Sequence, residues 1–227
     1  MTFPEEMLLC LTSGKVFYDG LGTLSSTRQQ LKHYPHDVWL YLLACGWRIL
    51  SQEMPFIGRC GDVGDEVGSQ TITARQCQRI IHLLFLIEKQ YAPYSKMARD
   101  RIQKTKWGAA IEPHLRHAML ANTWQDRESH INEAYKLLVE AFNELKLVAT
   151  ASLEVKHFYD RPYTIVEGPS PEAIQALISD RALRMLPLGV GGVDQITDNV
   201  DVLNRNEVFR RLKDIYRLNL GDDNARR

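Results

Sequence analysis

The stretch VWLYLLACGWRIL, residues Val38–Leu50, decides the fold class of this chain. Its apolar positions recur at spacings of three and four residues, the period of one face of an α-helix. These positions are Val38, Leu42, Cys45 and Ile49. Further apolar side chains, Trp39, Leu43 and Leu50, widen this face until the predicted helix is apolar almost all round. We expect such a helix to lie at the centre of a helical core.

The segments on either side predict more helices around this one. The longest runs from about Asp65 to Gln90 and contains Ile80–Ile87, the most apolar stretch of the chain. An amphipathic helix over Trp124–Leu147 is expected to begin at a capping Thr123. The remaining predictions are helices starting near Pro4, Ser25 and Ser170, helices over Lys96–Lys104, Trp107–Asn122 and Asn206–Leu218, and one strand, Thr164–Val166. The predicted fold class is therefore all-α, a multi-helix, bundle-like domain with at most a marginal short hairpin.

Length and composition are those of an ordinary globular domain. We expect a single helical domain over residues 1–220, with a core over about 4–147, an appendage over about 160–218 and a polar tail over 221–227. The net charge is zero and the pI is about 7.1, so the sequence carries no strong indication of nucleic-acid binding. No apolar stretch is long enough to span a bilayer and no signal peptide is evident, which predicts a cytoplasmic protein with no membrane contact.

The four cysteines lie far apart in the sequence and form no CxxC pair, which excludes zinc ribbons and thioredoxin-like redox sites. Cys45 and Cys77 fall on apolar helical faces, so we expect them to be buried, reduced thiols.

A polar, glycine-punctuated connection between two apolar helices, Gln52–Ser69, holds the first group of candidate site residues. Arg48 lies one turn before the end of an apolar helix, where a charge is costly unless it is paired. One interpretation is an internal ion-pair network that fixes helix packing. The other is a polar pocket in which an arginine binds a phosphate or carboxylate in a bidentate manner. The candidates are Arg48, Glu53, Arg59 and Glu66, with Asp62 and Asp65 beside them.

A second candidate group follows the next helix, in the block Tyr91–Lys96. Pro93 ends the helix and leaves Tyr94 and Lys96 near its terminus. Lysine is a good point charge for phosphates and tyrosine can stack on a nucleobase. The alternative is a helix breaker followed by a solvated lysine.

No self-sufficient catalytic motif is present, so the catalytic residues stay unknown. Polymerase-beta-type nucleotidyl transfer needs a glycine pair followed by an Asp-x-Asp strand, and the chain lacks that spacing. The loop over residues 189–192 lacks the third glycine of a dinucleotide fingerprint. His114 and His117 lie three residues apart without an evident third ligand, so we predict no metal site.

The candidate blocks resemble those of one bacterial family, a domain of unknown function found C-terminal to polymerase-beta-type nucleotidyltransferase modules. The resemblance covers roughly Glu5 to Tyr216. It differs in two respects: the catalytic module is absent, and Met97 stands where the family commonly has tryptophan. The blocks that carry it are Lys15–Gly22, Tyr34–Trp39, Phe56–Arg59, Tyr91–Lys96, Asp160–Tyr163 and Gly192–Gln195.

The resemblance implies a helical substrate- or nucleotide-binding domain that is catalytically incomplete alone. By that similarity, Tyr94 and Lys96 would face the triphosphate, while Arg48, Glu53, Arg59 and Glu66 would line the acceptor side. This chain would hold no cofactor itself, and magnesium with a nucleoside triphosphate would bind only alongside a catalytic module. The expected partners are such a module, in cis or in trans, and a small-molecule acceptor.

Two alternatives remain open at this point. The chain could be a non-enzymatic interaction module whose exposed apolar face drives homodimerisation or binds a separate protein. It could also be a helical ribonuclease of the HEPN type, which carries an arginine and a histidine with four to six residues between them. Arg28 with His33 fits that spacing, and so does Arg75 with His82.

Overall fold

The computed structural model describes residues 1–94 and 98–216. No helix in those residues is long and apolar enough to cross a membrane. The larger helices are α1 (Glu5–Thr12), α2 (Thr23–Gln30), α3 (His36–Glu53), α4 (Phe56–Asp62), α5 (Glu66–Ile87), α6 (Ala98–Ile102), α7 (Gly108–Leu120) and α8 (Trp124–Asn143). The C-terminal part contains β1 (Val155–His157), β2 (Thr164–Val166), α9 (Pro171–Ala176), α10 (Arg181–Arg184), α11 (Val193–Ile196), α12 (Val200–Asn204), α13 (Asn206–Phe209) and a 3-10 helix (Arg210–Tyr216).

Helix α3 lies at the centre of the core, as its all-round apolar sequence predicted. It packs against α5 on one side and α9 on another, while α5 also contacts α4, α7 and α8. Leu40, Tyr41 and Leu42 are consecutive and all buried, so side chains that leave the helix axis about 100° apart all reach the core. Burial of apolar surface on this scale is the main stabilising contribution to a domain of this size. The all-α prediction is confirmed.

The connection predicted to be polar and glycine-punctuated is largely helical. Helix α3 continues to Glu53, α4 occupies Phe56–Asp62, and α5 begins at Glu66, where Asp65 accepts a hydrogen bond from the Gly68 amide. The glycines of α4 are needed for close packing. A Cβ at Gly58 would collide with Tyr163, and a Cβ at Gly61 would collide with Trp124.

The predicted hairpin exists and is small. Strands β1 and β2 are antiparallel, with Val155 opposite Val166, and the strand expected over Thr164–Val166 has those bounds. Helix α8 begins after a capping Thr123, as predicted, but ends at Asn143 and not at Leu147. The chain takes a left-handed conformation at Lys146, which breaks the helix.

The C-terminal region contains more short helices than the sequence predicted. Helix α11 begins inside the loop expected near residues 186–195, and the predicted last helix is divided into α13 and a 3-10 turn. Ile174, Ile178 and Leu186 belong to the same hydrophobic core as α3. The division into a core and an appendage stays a prediction.

The cysteines fit the reduced state that was expected. All four are free, and Cys45 and Cys77 are buried. Burial raises the pKa of both thiols to about 12, so neither is a thiolate at neutral pH.

Candidate functional site

The predicted candidates on α3–α5 have separate partners. Arg48 pairs with Glu172 of α9, and Arg59 lies over the ring of Phe56 with 5.2 Å between its guanidinium carbon and the ring centroid. Together with Glu53 and Glu66, these residues do not line one common pocket. The structure therefore separates residues that their closeness in sequence had grouped.

Glu66 pairs with Arg127 of α8, and this pair fastens α8 to α5. The Arg127 side chain is only 1% exposed. It also donates to Ser69 Oγ at 3.1 Å and to the Ala121 carbonyl at 3.1 Å. A buried guanidinium with three acceptors is a satisfied structural charge, because its donors have replaced their water partners.

Glu53 has a different environment. Its carboxylate pairs with Arg75 Nε at 3.0 Å and also with Arg79, both on α5. Gln76 Nε2 donates to the Glu53 backbone carbonyl at 2.6 Å and so ties the end of α3 to α5. Two guanidiniums therefore share one carboxylate, which leaves positive charge and N–H donors for another anion.

The two arginines line a cleft between α5 and the segment that contains α11. Arg75, Arg79 and His82 recur every three or four residues, so they lie on one face of α5. This face lines a cavity of about 210 Å³, and Asp194 and Asp198 lie across from it. The floor is apolar and includes Gly46, Ile49 and Leu83.

A second cavity of about 140 Å³ continues from the first. The two share His82, Asp194 and Asp198 among their lining residues. The second cavity is bounded in addition by Glu6 at the start of α1 and by Tyr94, whose side chain is partly exposed. We call the first cavity the arginine lobe and the second the acidic lobe.

Tyr94 is thus the predicted candidate that reaches this cleft directly, while Glu53 reaches it through its arginine partners. Lys96 lies outside the described residues.

Hydrogen bonds fix the wall opposite α5. The Glu5 amide donates to Asp194 Oδ2 at 3.0 Å, and the Ala92 amide donates to Glu5 Oε2 at 2.8 Å. Gln195 Nε2 donates to the Leu42 carbonyl of α3 at 3.0 Å. These contacts hold the start of α1, the end of the α5 connection and α11 together, so the cleft is preformed.

The acidic side chains at this wall are strongly perturbed. Burial raises the pKa of Glu5 to about 8, and the nearby Asp194 carboxylate raises it further. Burial also raises the pKa of Asp194 to about 6, against the opposing effect of the Glu5 amide. Perturbed carboxyl groups beside a cleft are more frequent at functional sites than elsewhere.

His82 lies where the two lobes meet. Burial lowers its pKa, although the negative charge of Asp198 opposes that shift, so the imidazole is neutral at neutral pH. His82 lines both lobes. A neutral imidazole offers one donor and one acceptor to a bound molecule.

Sequence reasoning missed Arg79, Asp194 and Asp198, and noticed Arg75 and His82 only as an arginine–histidine spacing. The useful indication was present in the periodicity: on α5, Arg75, Arg79 and His82 follow a helical repeat. The carboxylates across the cleft come from more than a hundred residues away, and no local pattern connects them to α5.

His114 and His117 have a third histidine as neighbour. The His130 ring centroid lies 5.9 Å from that of His114 and 5.1 Å from that of His117. Within residues 1–94 and 98–216, no three His, Cys, Asp or Glu side chains are arranged to hold a metal ion.

Comparison with known proteins gives one match. A family model described as a domain of unknown function (DUF4037) matches residues 1–97. The match includes Arg75, Arg79, His82 and Tyr94, whereas Asp194 and Asp198 lie beyond it. No curated protein and no solved structure matches the chain.

Proposed function

We propose that this chain is the helical ligand-binding part of a nucleotidyltransferase-like protein, and that its cleft takes a small phosphate-bearing molecule. The observation that carries the proposal is the pair Arg75 and Arg79, which face the cleft and share the single carboxylate of Glu53. Guanidiniums bind phosphate oxygens through paired N–H donors, and partial burial strengthens that attraction.

The second lobe supports a ligand larger than phosphate alone. Tyr94 presents a partly exposed ring at the edge of the acidic lobe, where it can stack on a planar or apolar group. The apolar floor of the arginine lobe excludes water from one side of the bound molecule. A few placed polar groups above an apolar floor are the usual composition of small-molecule sites.

The proposal assigns this chain binding and leaves chemistry to a partner. A nucleotidyltransferase module, in cis or in trans, would supply the acids that hold magnesium and the triphosphate. The cleft would then hold either the nucleotide or the molecule that receives the nucleotidyl group.

A thermal-shift titration tests the proposal. Inorganic phosphate, ATP, GTP, CTP and UTP are titrated separately, with and without magnesium, against the chain and its Arg79→Ala variant. A ligand that binds only the folded state raises the melting temperature. We expect a rise with at least one of these compounds, strongly reduced in Arg79→Ala and retained in Arg181→Ala, a matched loss of an exposed arginine on α10. No rise with any compound, or an equal rise in Arg79→Ala, would contradict the proposal.

A second candidate function, self-association, is favoured by one exposed surface. We define the aromatic arm as residues 15–22, between α1 and α2. Within it Phe17 is 95% exposed, Tyr18 is 88% exposed and Leu21 is 89% exposed. Arg28 fixes the base of the arm by donating to the carbonyls of Thr12 at 2.7 Å and Gly14 at 2.9 Å.

The occupant that this surface fits is a second copy of the chain. An apolar groove of about 570 Å³ lies along α1 and is lined by Phe3, Met7, Leu8 and Leu11 among others. An aromatic projection and an apolar groove on one chain allow two copies to exchange arms around a two-fold axis. Sedimentation velocity over a range of concentrations tests this candidate. A dimer that Phe17→Ser with Tyr18→Ser converts to a monomer would support it, and a monomer at every concentration would exclude it.

The helical ribonuclease gains no support at Arg28 and His33. The Arg28 guanidinium is occupied by backbone carbonyls at the end of α1. His33 stacks on Tyr91 with ring centroids 5.6 Å apart, and burial lowers its pKa to about 4.

A further inference from the structure

We propose that the cleft selects a zwitterionic ligand, with its anionic group in the arginine lobe and an ammonium group in the acidic lobe. This inference rests on the proposed function and names the substrate class of the same site. In the nucleotidyltransferase-like system it makes the cleft the site of the acceptor molecule, an amine-bearing phosphate or carboxylate compound, and not the site of the nucleotide.

The first observation is the uneven distribution of charge along the cleft: both lobes contain Asp194 and Asp198, but arginines line only the arginine lobe. Arg75 and Arg79 line the arginine lobe and not the acidic lobe. Glu6 lines the acidic lobe and not the arginine lobe. Asp198 lies at the junction, close enough to His82 to affect its pKa. Complementary charge at both ends gives specificity, because a ligand lacking one charge leaves the opposing group without compensation.

The second observation is the ring at the acidic lobe. Tyr94 borders this lobe together with Pro93 and Ala92, whose amide is already used by Glu5. An ammonium group placed between a carboxylate and an aromatic face is stabilised by both, through charge attraction and through the cation–π interaction. The same surroundings disfavour a second phosphate, since Glu6 and Asp198 would repel it.

The third observation is the polar junction. The His82 side chain has no hydrogen-bond partner among the residues that the structure describes, although it is partly buried. As a neutral imidazole it can accept from the ligand's ammonium or donate to its anion without adding charge to either lobe. Gln78 and Thr197 line both lobes beside it and offer further uncharged partners.

The spacing along α5 sets the length of the ligand. Arg75 and His82 are seven residues apart, which corresponds to roughly 10 Å along the helix axis. A molecule that reaches from the arginines past His82 therefore needs several bonds between its anion and its ammonium. A six-carbon chain between the two groups meets this requirement when extended.

The experiment compares two compounds that differ in one charge, 6-aminohexyl phosphate and hexyl phosphate, by isothermal titration calorimetry with the full chain. We expect the amino compound to bind about tenfold more tightly, as a partly buried charge contact allows. The advantage should shrink to about twofold or less in the double variant Glu6→Gln, Asp198→Asn. It should persist in the control variant Glu154→Gln, Asp160→Asn, which removes two exposed acids that do not line the cleft.

The outcomes separate this inference from the proposed function. Equal affinity for the two compounds in the unmodified chain would overturn the inference, and the proposed function would stand if Arg79→Ala weakened both. Failure of both compounds to bind would overturn the inference, and the proposed function would fall with it if inorganic phosphate and the four nucleotides also failed to raise the melting temperature. Melting curves of each variant without ligand show that it is folded, so a lost advantage cannot come from a lost fold.

Discussion

Two arginine–glutamate clusters connect the helices of this chain, and they differ in how completely their charges are satisfied. Arg127 is buried, pairs with Glu66 and donates to two further oxygens. Arg75 and Arg79 are partly exposed and share the single carboxylate of Glu53 beside an open cavity. Both clusters use the same residue types and both join α5 to a neighbour, yet only the second keeps donors free for another molecule.

The difference shows that residue type does not decide whether a charged cluster is structural or available for binding. The number of acceptors per guanidinium and the presence of an adjoining cavity decide it. A fully satisfied cluster contributes to folding, whereas an under-satisfied cluster at a cavity contributes little to folding and much to ligand affinity. The following predictions test this division, beginning with the largest expected effect.

Arg127→Ala should lower the free energy of unfolding by about 3 kcal/mol, because it removes a buried side chain that joins α8 to α5. Arg79→Ala should lower it by less than about 1 kcal/mol, because the Arg79 side chain is 29% exposed and Arg75 still pairs with Glu53. Urea unfolding followed by far-UV circular dichroism measures both values.

Arg181→Ala provides the matched control, since it removes an exposed arginine from α10. Similar losses for Arg127→Ala and Arg79→Ala would show that the two clusters do not differ in the way described. A ligand that stabilises the unmodified chain but not Arg79→Ala would sharpen the contrast.

The buried carboxyl of Glu5 predicts a stability that depends on pH. Its pKa is raised to about 8 in the folded chain from an ordinary value of 4.5, so the folded state holds a proton that the unfolded state releases. Stability should therefore fall as pH rises between these values. Between pH 6.5 and 8 the loss should be about 2 kcal/mol, at about 1.4 kcal/mol per pH unit.

Glu5→Gln should flatten this decline, because glutamine keeps an acceptor for the Ala92 amide and does not ionise. Urea midpoints at pH 6.5, 7.25 and 8 measure the slope. The buried histidines and the Met1 amino group, whose pKa values are lowered by burial, oppose this decline, because their unfolded forms still hold part of a proton in this range that the folded forms have released. Both variants contain these groups, so the difference between the two slopes reports Glu5. A slope that is the same in Glu5→Gln would remove Glu5 as its cause, and Glu154→Gln serves as the surface control.

The sequence predicted the helices whose apolar pattern is strong and failed where a residue has its role only in three dimensions. Val38–Leu50 is a buried central helix because burial from several sides needs apolar residues at nearly every position. Gly58 and Gly61 were interpreted as loop residues, although they allow α4 to approach Tyr163 and Trp124. A glycine that permits contact and a glycine that permits a turn have the same letter in a sequence.

The cleft was harder to predict than the core. A helical face with Arg75, Arg79 and His82 has the composition of an ordinary solvated face, and only the segment folded across it creates a cavity. That segment contributes Asp194 and Asp198 from the far end of the chain. Tyr94 was predicted because a proline before an aromatic residue marks a helix end, which is a local feature.

The smallest effects test the same division with neutral groups. The Tyr41 hydroxyl donates to the Pro187 carbonyl at 2.9 Å and accepts from the Gly191 amide at 3.3 Å. The Tyr135 hydroxyl is buried without a hydrogen-bond partner among residues 1–94 and 98–216. Tyr41→Phe should therefore cost about 1–2 kcal/mol, since it leaves the buried Gly191 amide without its acceptor and the Pro187 carbonyl without its donor.

Tyr135→Phe should change the free energy of unfolding by less than about 0.5 kcal/mol or increase it, because the phenyl ring keeps its packing and the unpaired hydroxyl is lost. The ring contact with Trp47, at 5.6 Å between centroids, is retained in the variant. Paired urea titrations of the two variants give the comparison directly. A clear loss of stability in Tyr135→Phe would mean that this hydroxyl has a hydrogen-bond partner. The hydrogen-bond partners of the two charged clusters would then have to be reassessed too. The opposite result, a cost at Tyr41 alone, would extend the rule from guanidiniums to hydroxyls: a polar group stabilises this fold only where its partners are already in place.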